Sequence, residues 1–144
     1  MPGGAARRRK GHDFERAVCR ILTHRTRAPW KRGLQTRGGG EEVPDCFNED
    51  LPFHIECKIG KAPGIRGALL QAEHEAGGRK PIAIVKHDRE EPTVTMRMEL
   101  FLEIFEDHIE WCRHRGIYPD PTGVDLSSAS NPSSPSPASP DQGS

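Results

Sequence analysis

Apolar residues recur at Phe14, Val18, Ile21 and Leu22, the i, i+4, i+7 and i+8 spacing of one helical face. The stretch GHDFERAVCRILTHR, residues 11–25, is therefore predicted as the first helix, with Glu15, Arg16 and Arg20 flanking the stripe and Glu15 at the edge of the core. APWKRGLQTRGGG follows, with a short strand expected over residues 31–36 and a loop at Gly38, Gly39 and Gly40. From Val43 the period becomes two, and Phe53, Ile55, Cys57 and Ile59 alternate with His54, Glu56 and Lys58. Glu56 and Lys58 thus share one sheet face. VPDCFN supplies a partner strand and NEDLP the turn, so a hairpin is expected, centred near Asp50 and Leu51. Folding it about that centre sets Asp45 roughly opposite Glu56, where cross-strand Cβ atoms are ~5 Å apart.

A second helix is predicted over residues 65–76 and is stopped by Gly77 and Gly78. KPIAIVKH then reads as a buried strand of continuous apolar character, and PTVTMRM as a strand of alternating type. The last element, ELFLEIFEDHIEWCRHRG, carries Phe101, Ile104, Phe105, Ile109 and Cys112 at helical spacing and ends at Gly116. The order α-β-β-β-α-β-β-α, without an internal repeat, describes an α/β fold: a mixed β-sheet flanked by helices.

Composition divides the 144 residues unevenly. Residues 118–144 are rich in Ser and Pro with almost no apolar side chains, too few to offset chain entropy, and are expected to be a disordered tail. Residues 1–10 read as a basic flexible arm and 11–117 as the single folded domain. The formal net charge is zero, yet residues 1–37 hold eleven Lys or Arg against two acids, Asp13 and Glu15. Such a cationic third suits a polyanion such as nucleic acid, and Arg7, Arg8, Arg9, Lys10, Arg16, Arg32 and Arg37 are the candidate contacts.

The opening MPGGAARRRK lacks the apolar core of a signal peptide, and no apolar run approaches the roughly 18 residues of a membrane helix. A soluble, intracellular, cytoplasmic protein is expected. Cys19, Cys46, Cys57 and Cys112 form no CxxC pair and suggest neither a zinc site nor a disulfide framework, only small buried hydrophobes. The histidines lack the spacing of a helical zinc site, and Trp30 and Trp111 read as packing residues.

Carboxylates facing each other across a strand pair repel, so Asp45 and Glu56 ask for compensation. A hard divalent cation, Mg²⁺ or Mn²⁺, is the natural answer, because one or two carboxylates hold it while water and phosphate fill its remaining positions. Lys58 can then hold a water, help deprotonate it, or stabilise charge developing on phosphate. Glu15 can add a ligand, directly or through water, and Gln71 is an accessory candidate for orienting water or phosphate. Without Asp45, the Glu56 and Lys58 pair would read as an ordinary exposed salt bridge.

Pro44-Asp45, ten intervening residues and Glu56-Cys57-Lys58 resemble the motif of the PD-(D/E)XK nuclease superfamily. More narrowly, GHDFER at a helix start, TRGGGEEVPD before the acidic pair, and a helix ahead of a buried strand resemble archaeal and phage Holliday junction resolvases, over residues 11–105. The loop has Gly38, Gly39 and Gly40 where many resolvases carry a serine, and Cys57 replaces the more usual Val or Ala. The resemblance implies a restriction-endonuclease-like fold, catalytic Glu15, Asp45, Glu56 and Lys58, Mg²⁺ on the carboxylates, and hydrolysis of DNA to a 5′-phosphate. A branched four-way junction is the expected substrate. Symmetric cutting of it calls for a homodimer, through the apolar surface of the second or last helix. Two other functions fit the same residues: a restriction, nicking or repair endonuclease of this fold, or a non-catalytic nucleic-acid-binding module.

Overall fold

A computed structural model describes residues 3–33 and 43–117. Three helices and five strands follow in the expected order: α1 (Gly4–Thr26), β1 (Lys31–Arg32), β2 (Cys46–Phe47), β3 (Phe53–Gly60), α2 (Ile65–Glu75), β4 (Lys80–His87), β5 (Thr93–Thr95) and α3 (Met98–His114). The strands form one sheet in the order β1-β2-β3-β4-β5, with β3 and β4 parallel and the other pairs antiparallel. The fold is thus α/β, with helices packed on a mixed sheet. The described residues up to Phe105 form one compact unit, and Glu106 opens a second.

Alternation along the two central strands sorts their side chains. Ile55 and Cys57 of β3 and Ile82 and Ile84 of β4 join Phe14, Val18 and Cys19 of α1, Cys46 of β2 and Leu100 of α3 in one buried cluster. Each large apolar side chain buried there contributes roughly 1.5–3 kcal/mol over leaving it in water. On the opposite face a smaller cluster holds Ala68 and Leu69 of α2 against Ala83 and Val85 of β4. α2 is the crossover that parallel β3 and β4 require. It stops where Gly77 and Gly78 take positive φ, 54° and 89°, a region that glycine enters without penalty.

The hairpin turn is held by Asn48, whose side-chain oxygen accepts from the Asp50 N–H at 2.9 Å while its amide donates to the Pro29 carbonyl at 2.8 Å. On the other side of β2, the Gly33 N–H donates to the Asp45 carbonyl at 3.1 Å. A Cβ on Gly33 would lie 2.0 Å from the Pro44 carbonyl oxygen, so only glycine permits this approach.

Several expectations are corrected. Residues 4–10, read as a flexible arm, are the first turns of α1. Ala, Arg and Lys are strong helix formers, and Lys10 reaches across to Asp88 beyond β4. Ile21 is 56 % exposed, and Cys19 takes a place on the buried stripe instead. The cysteines are not all lone hydrophobes: Cys19 of α1 and Cys46 of β2, 27 residues apart, form a disulfide with Cα atoms 5.9 Å apart, while Cys57 and Cys112 are free and buried. Trp30 packs against the main core and donates from Nε1 to Thr26 Oγ1 at 3.0 Å. Trp111, by contrast, is half exposed, stacked on His108 and covered by the Arg115 guanidinium 4.6 Å from its ring centre. The glycine loop, Arg37 and the Ser/Pro-rich tail lie outside the described residues. Among the described residues no helix is long and apolar enough to cross a membrane.

Candidate active site

Because Cys46 pairs with Ile55 in an antiparallel ladder, the next position on each strand sets Asp45 against Glu56, as the hairpin pattern predicts. Cys46 and Ile55 enter the α1-side core, so Asp45 and Glu56 belong to the α2 side of the sheet, together with His54 and Lys58. Asp45 is half-buried, and its Oδ2 accepts the Cys57 N–H at 2.8 Å. Glu56 is buried, 3 % exposed, and its Oε1 accepts Lys58 Nζ at 2.8 Å.

The charges strain one another. Burial pushes the Asp45 carboxyl above its ordinary value; the Cys57 hydrogen bond opposes this, and the negative charge of Glu15 adds to it. Glu56 rises to about 7, chiefly through burial, with Lys58 pulling it down and Asp45 and Glu75 pushing it up. For Lys58, burial favours the neutral amine, but the hydrogen bond and charge of Glu56, then Asp45 and Glu75, outweigh it and raise its pKa. Lys58 therefore keeps its proton at neutral pH. The Cys57 thiol, between these carboxylates, is pushed well up by burial and is no nucleophile.

Glu15 stands on α1, close enough to Asp45 for its charge to be felt there, but its carboxylate is held by Arg32 Nε at 2.5 Å. Gln71 of α2 donates to Glu75 at 3.0 Å. Two residues that the sequence does not mark as site candidates complete the group: His54, 1 % exposed, and Glu75, in the last turn of α2. Donor atoms of His54, Glu56 and Glu75 all lie within 4.8 Å of one another. Both had a legible signal, since His54 shares the strand face of Glu56, and Glu75 lies four residues after Gln71 on one helical face.

The basic candidates divide into two groups. Arg7, Arg8 and Arg9 are exposed on the first turns of α1 and make no ion pair with a described residue. Lys10 is tied to Asp88, Arg16 to Asp13 and Arg32 to Glu15. Arg16, Arg20 and Arg32 together line a hollow of about 550 Å³ beside Asp13 and Cys19.

Chemically, the α2 side of the sheet presents clustered oxygen donors beside a protonated amine, a set suited to a divalent cation and an anionic substrate. Compared with protein-family models, curated proteins and solved structures, the chain matches none.

Proposed function

We propose that this chain is a metal-dependent DNA endonuclease that hydrolyses phosphodiesters and leaves a 5′-phosphate, with a four-way junction as its substrate. One observation carries the reading: Asp45 stands opposite Glu56 on the central hairpin, with Lys58 bonded to Glu56 from the same face. The PD-(D/E)XK resemblance supplies the reaction and the junction.

The donor set fits Mg²⁺ or Mn²⁺, because crowded carboxylates whose pKa values are raised by burial and by one another are relieved by a cation. Asp45 and Glu56 would hold it, with Glu15 contributing through water. When bound, such an ion acts as a Lewis acid and lowers the pKa of a coordinated water. Lys58, protonated and anchored on Glu56, would orient the attacking water toward phosphorus and meet the charge that develops on the phosphate oxygens. Gln71 acts through Glu75. Arg7, Arg8 and Arg9 on α1 and the Arg16, Arg20 and Arg32 hollow suit backbone phosphates, which position DNA without reading its sequence. The exposed Met98, Phe101, Leu102 and Phe105 of α3 support self-association into the homodimer that paired cuts require.

The deciding experiment incubates the full chain with labelled four-way junction, flap and linear duplex, with Mg²⁺ and with EDTA, beside Asp45→Asn. Paired symmetric cuts confined to the junction, lost with EDTA and in the variant, are expected. Cleavage of all three substrates would keep the nuclease and discard junction selectivity. Tight binding with no cleavage in Mg²⁺ or Mn²⁺ would instead favour the non-catalytic module.

A further inference from the structure

Among the described residues, the side chains that come together most closely as metal donors are His54, Glu56 and Glu75, not Asp45, Glu56 and Glu15. All three stand on regular elements: His54 and Glu56 at successive same-face positions of β3, and Glu75 in the last turn of α2. His54 and Glu56 are both buried. Glu56 gives Oε1 to Lys58 and Glu75 gives Oε1 to Gln71, which leaves one further oxygen on each carboxylate. The charge of Glu75 adds to the crowding of Asp45 and Glu56, and that of Lys58 opposes it.

A cavity of about 430 Å³ adjoins the group, lined by Pro44, Phe47, His54, His74, Glu75 and Arg79, among others. The buried His54 and the half-buried Glu75 both stand in its wall. Arg79 contributes a buried guanidinium nitrogen, Nη1, that has no hydrogen-bond partner among the described residues. A buried donor of this kind asks for an acceptor, and an anion reaching the cavity would supply one.

We propose that His54, Glu56 and Glu75 form a binding site for a transition-metal ion of the Mn²⁺, Co²⁺ or Zn²⁺ type, whose open positions face the cavity and take an anionic ligand that Arg79 also contacts. An imidazole nitrogen beside two carboxylate oxygens suits borderline Co²⁺ and Zn²⁺ best and is accepted by Mn²⁺, whereas Mg²⁺ prefers oxygen donors and keeps its waters. The site shares Glu56 with the proposed nuclease centre, but its existence does not depend on cleavage.

Co²⁺ is the probe, because its visible absorption reports nitrogen and oxygen ligation directly. The cation-free full chain is titrated with CoCl₂ and followed by absorption and by the paramagnetically shifted imidazole N–H resonance in proton NMR. One ion per chain and one shifted imidazole signal are expected. His54→Gln should abolish that signal, and Glu75→Gln should weaken Co²⁺ at least ~10-fold. Inorganic phosphate should perturb the Co²⁺ spectrum in the wild type and not in Arg79→Ala.

Glu75 is half-buried, so Glu75→Gln decides the matter should His54→Gln fail to fold. Absence of a shifted imidazole signal, or unchanged Co²⁺ affinity in Glu75→Gln, would overturn the site. Junction cleavage in Mg²⁺ is measured on the same preparations. Cleavage without the Co²⁺ signature refutes this site alone, and the Co²⁺ signature without cleavage refutes the nuclease alone.

Discussion

The two faces of the sheet are built from the same strands to opposite ends. Toward α1, the side chains of β3 and β4 are Ile55, Cys57, Ile82 and Ile84, packed on Phe14 and Val18. Toward α2, the same strands present His54, Glu56, Lys58, Ala83 and Val85. Ala83, and Ala68 and Ala72 of α2, are almost wholly buried, small side chains that let a helix approach closely while polar side chains share the interface. Stability is concentrated on the first face. The second face is destabilised by like charges, the kind of crowding that the proposed active site would use.

The largest effect expected from breaking the comparison is on the polar face. Lys58→Ala should lower junction cleavage at least ~10³-fold. Because it leaves the buried Glu56 without its cation, thermal stability should fall at pH 8 more than at pH 5, where Glu56 can take up a proton. Phe14→Ala on the other face should do the reverse in kind. Its cost is about 3–5 kcal/mol, read as a fall in the urea midpoint, with residual cleavage tracking the folded fraction.

A third test uses pH. Folding raises the Glu56 carboxyl from 4.5 to about 7, so its contribution to stability is whole below about 4.5 and is lost as pH rises through about 7. Asp45, also raised, acts in the same direction. Cation-free protein should therefore melt several degrees lower at pH 8 than at pH 5, and Glu56→Gln should flatten that slope in differential scanning calorimetry. An unchanged slope would remove Glu56 as its source. The smallest effect belongs to Gln71→Ala, which deletes one neutral donor to Glu75 worth about 1 kcal/mol and should slow cleavage by no more than about fivefold.

Hydrophobic period made much of this arrangement readable. The alternation from Phe53 to Ile59 places Glu56 and Lys58 on one face, and the turn residues around Asp50 set the register that brings Asp45 opposite Glu56. Local pattern fails where long-range packing decides. Residues 4–10 carry no apolar stripe, so periodicity is silent about a helix that composition alone allows. Cys19 and Cys46 lie 27 residues apart on different elements, and nothing in their spacing announces the bond. His54 appears in the alternation only as a polar position, and Glu75 only as a residue near a helix end. Their meeting at Glu56 depends on how α2 crosses from β3 to β4, which no single stretch encodes.

That crossover also has a consequence for how the molecule assembles. Cys46 and Ile55 are nine residues apart, whereas Phe53 and Lys80, the first parallel partners, are separated by 27. Hairpins close in about 1–10 μs, and pairings across longer separations come later because more chain entropy is lost first. Asp45 and Glu56 are thus expected to meet while still hydrated, and only docking of α2 and β4 then removes Glu56 from water. At pH 6 that late step should draw a proton from solution, so a pH-indicator dye in a stopped-flow refolding experiment would time the closing of the site.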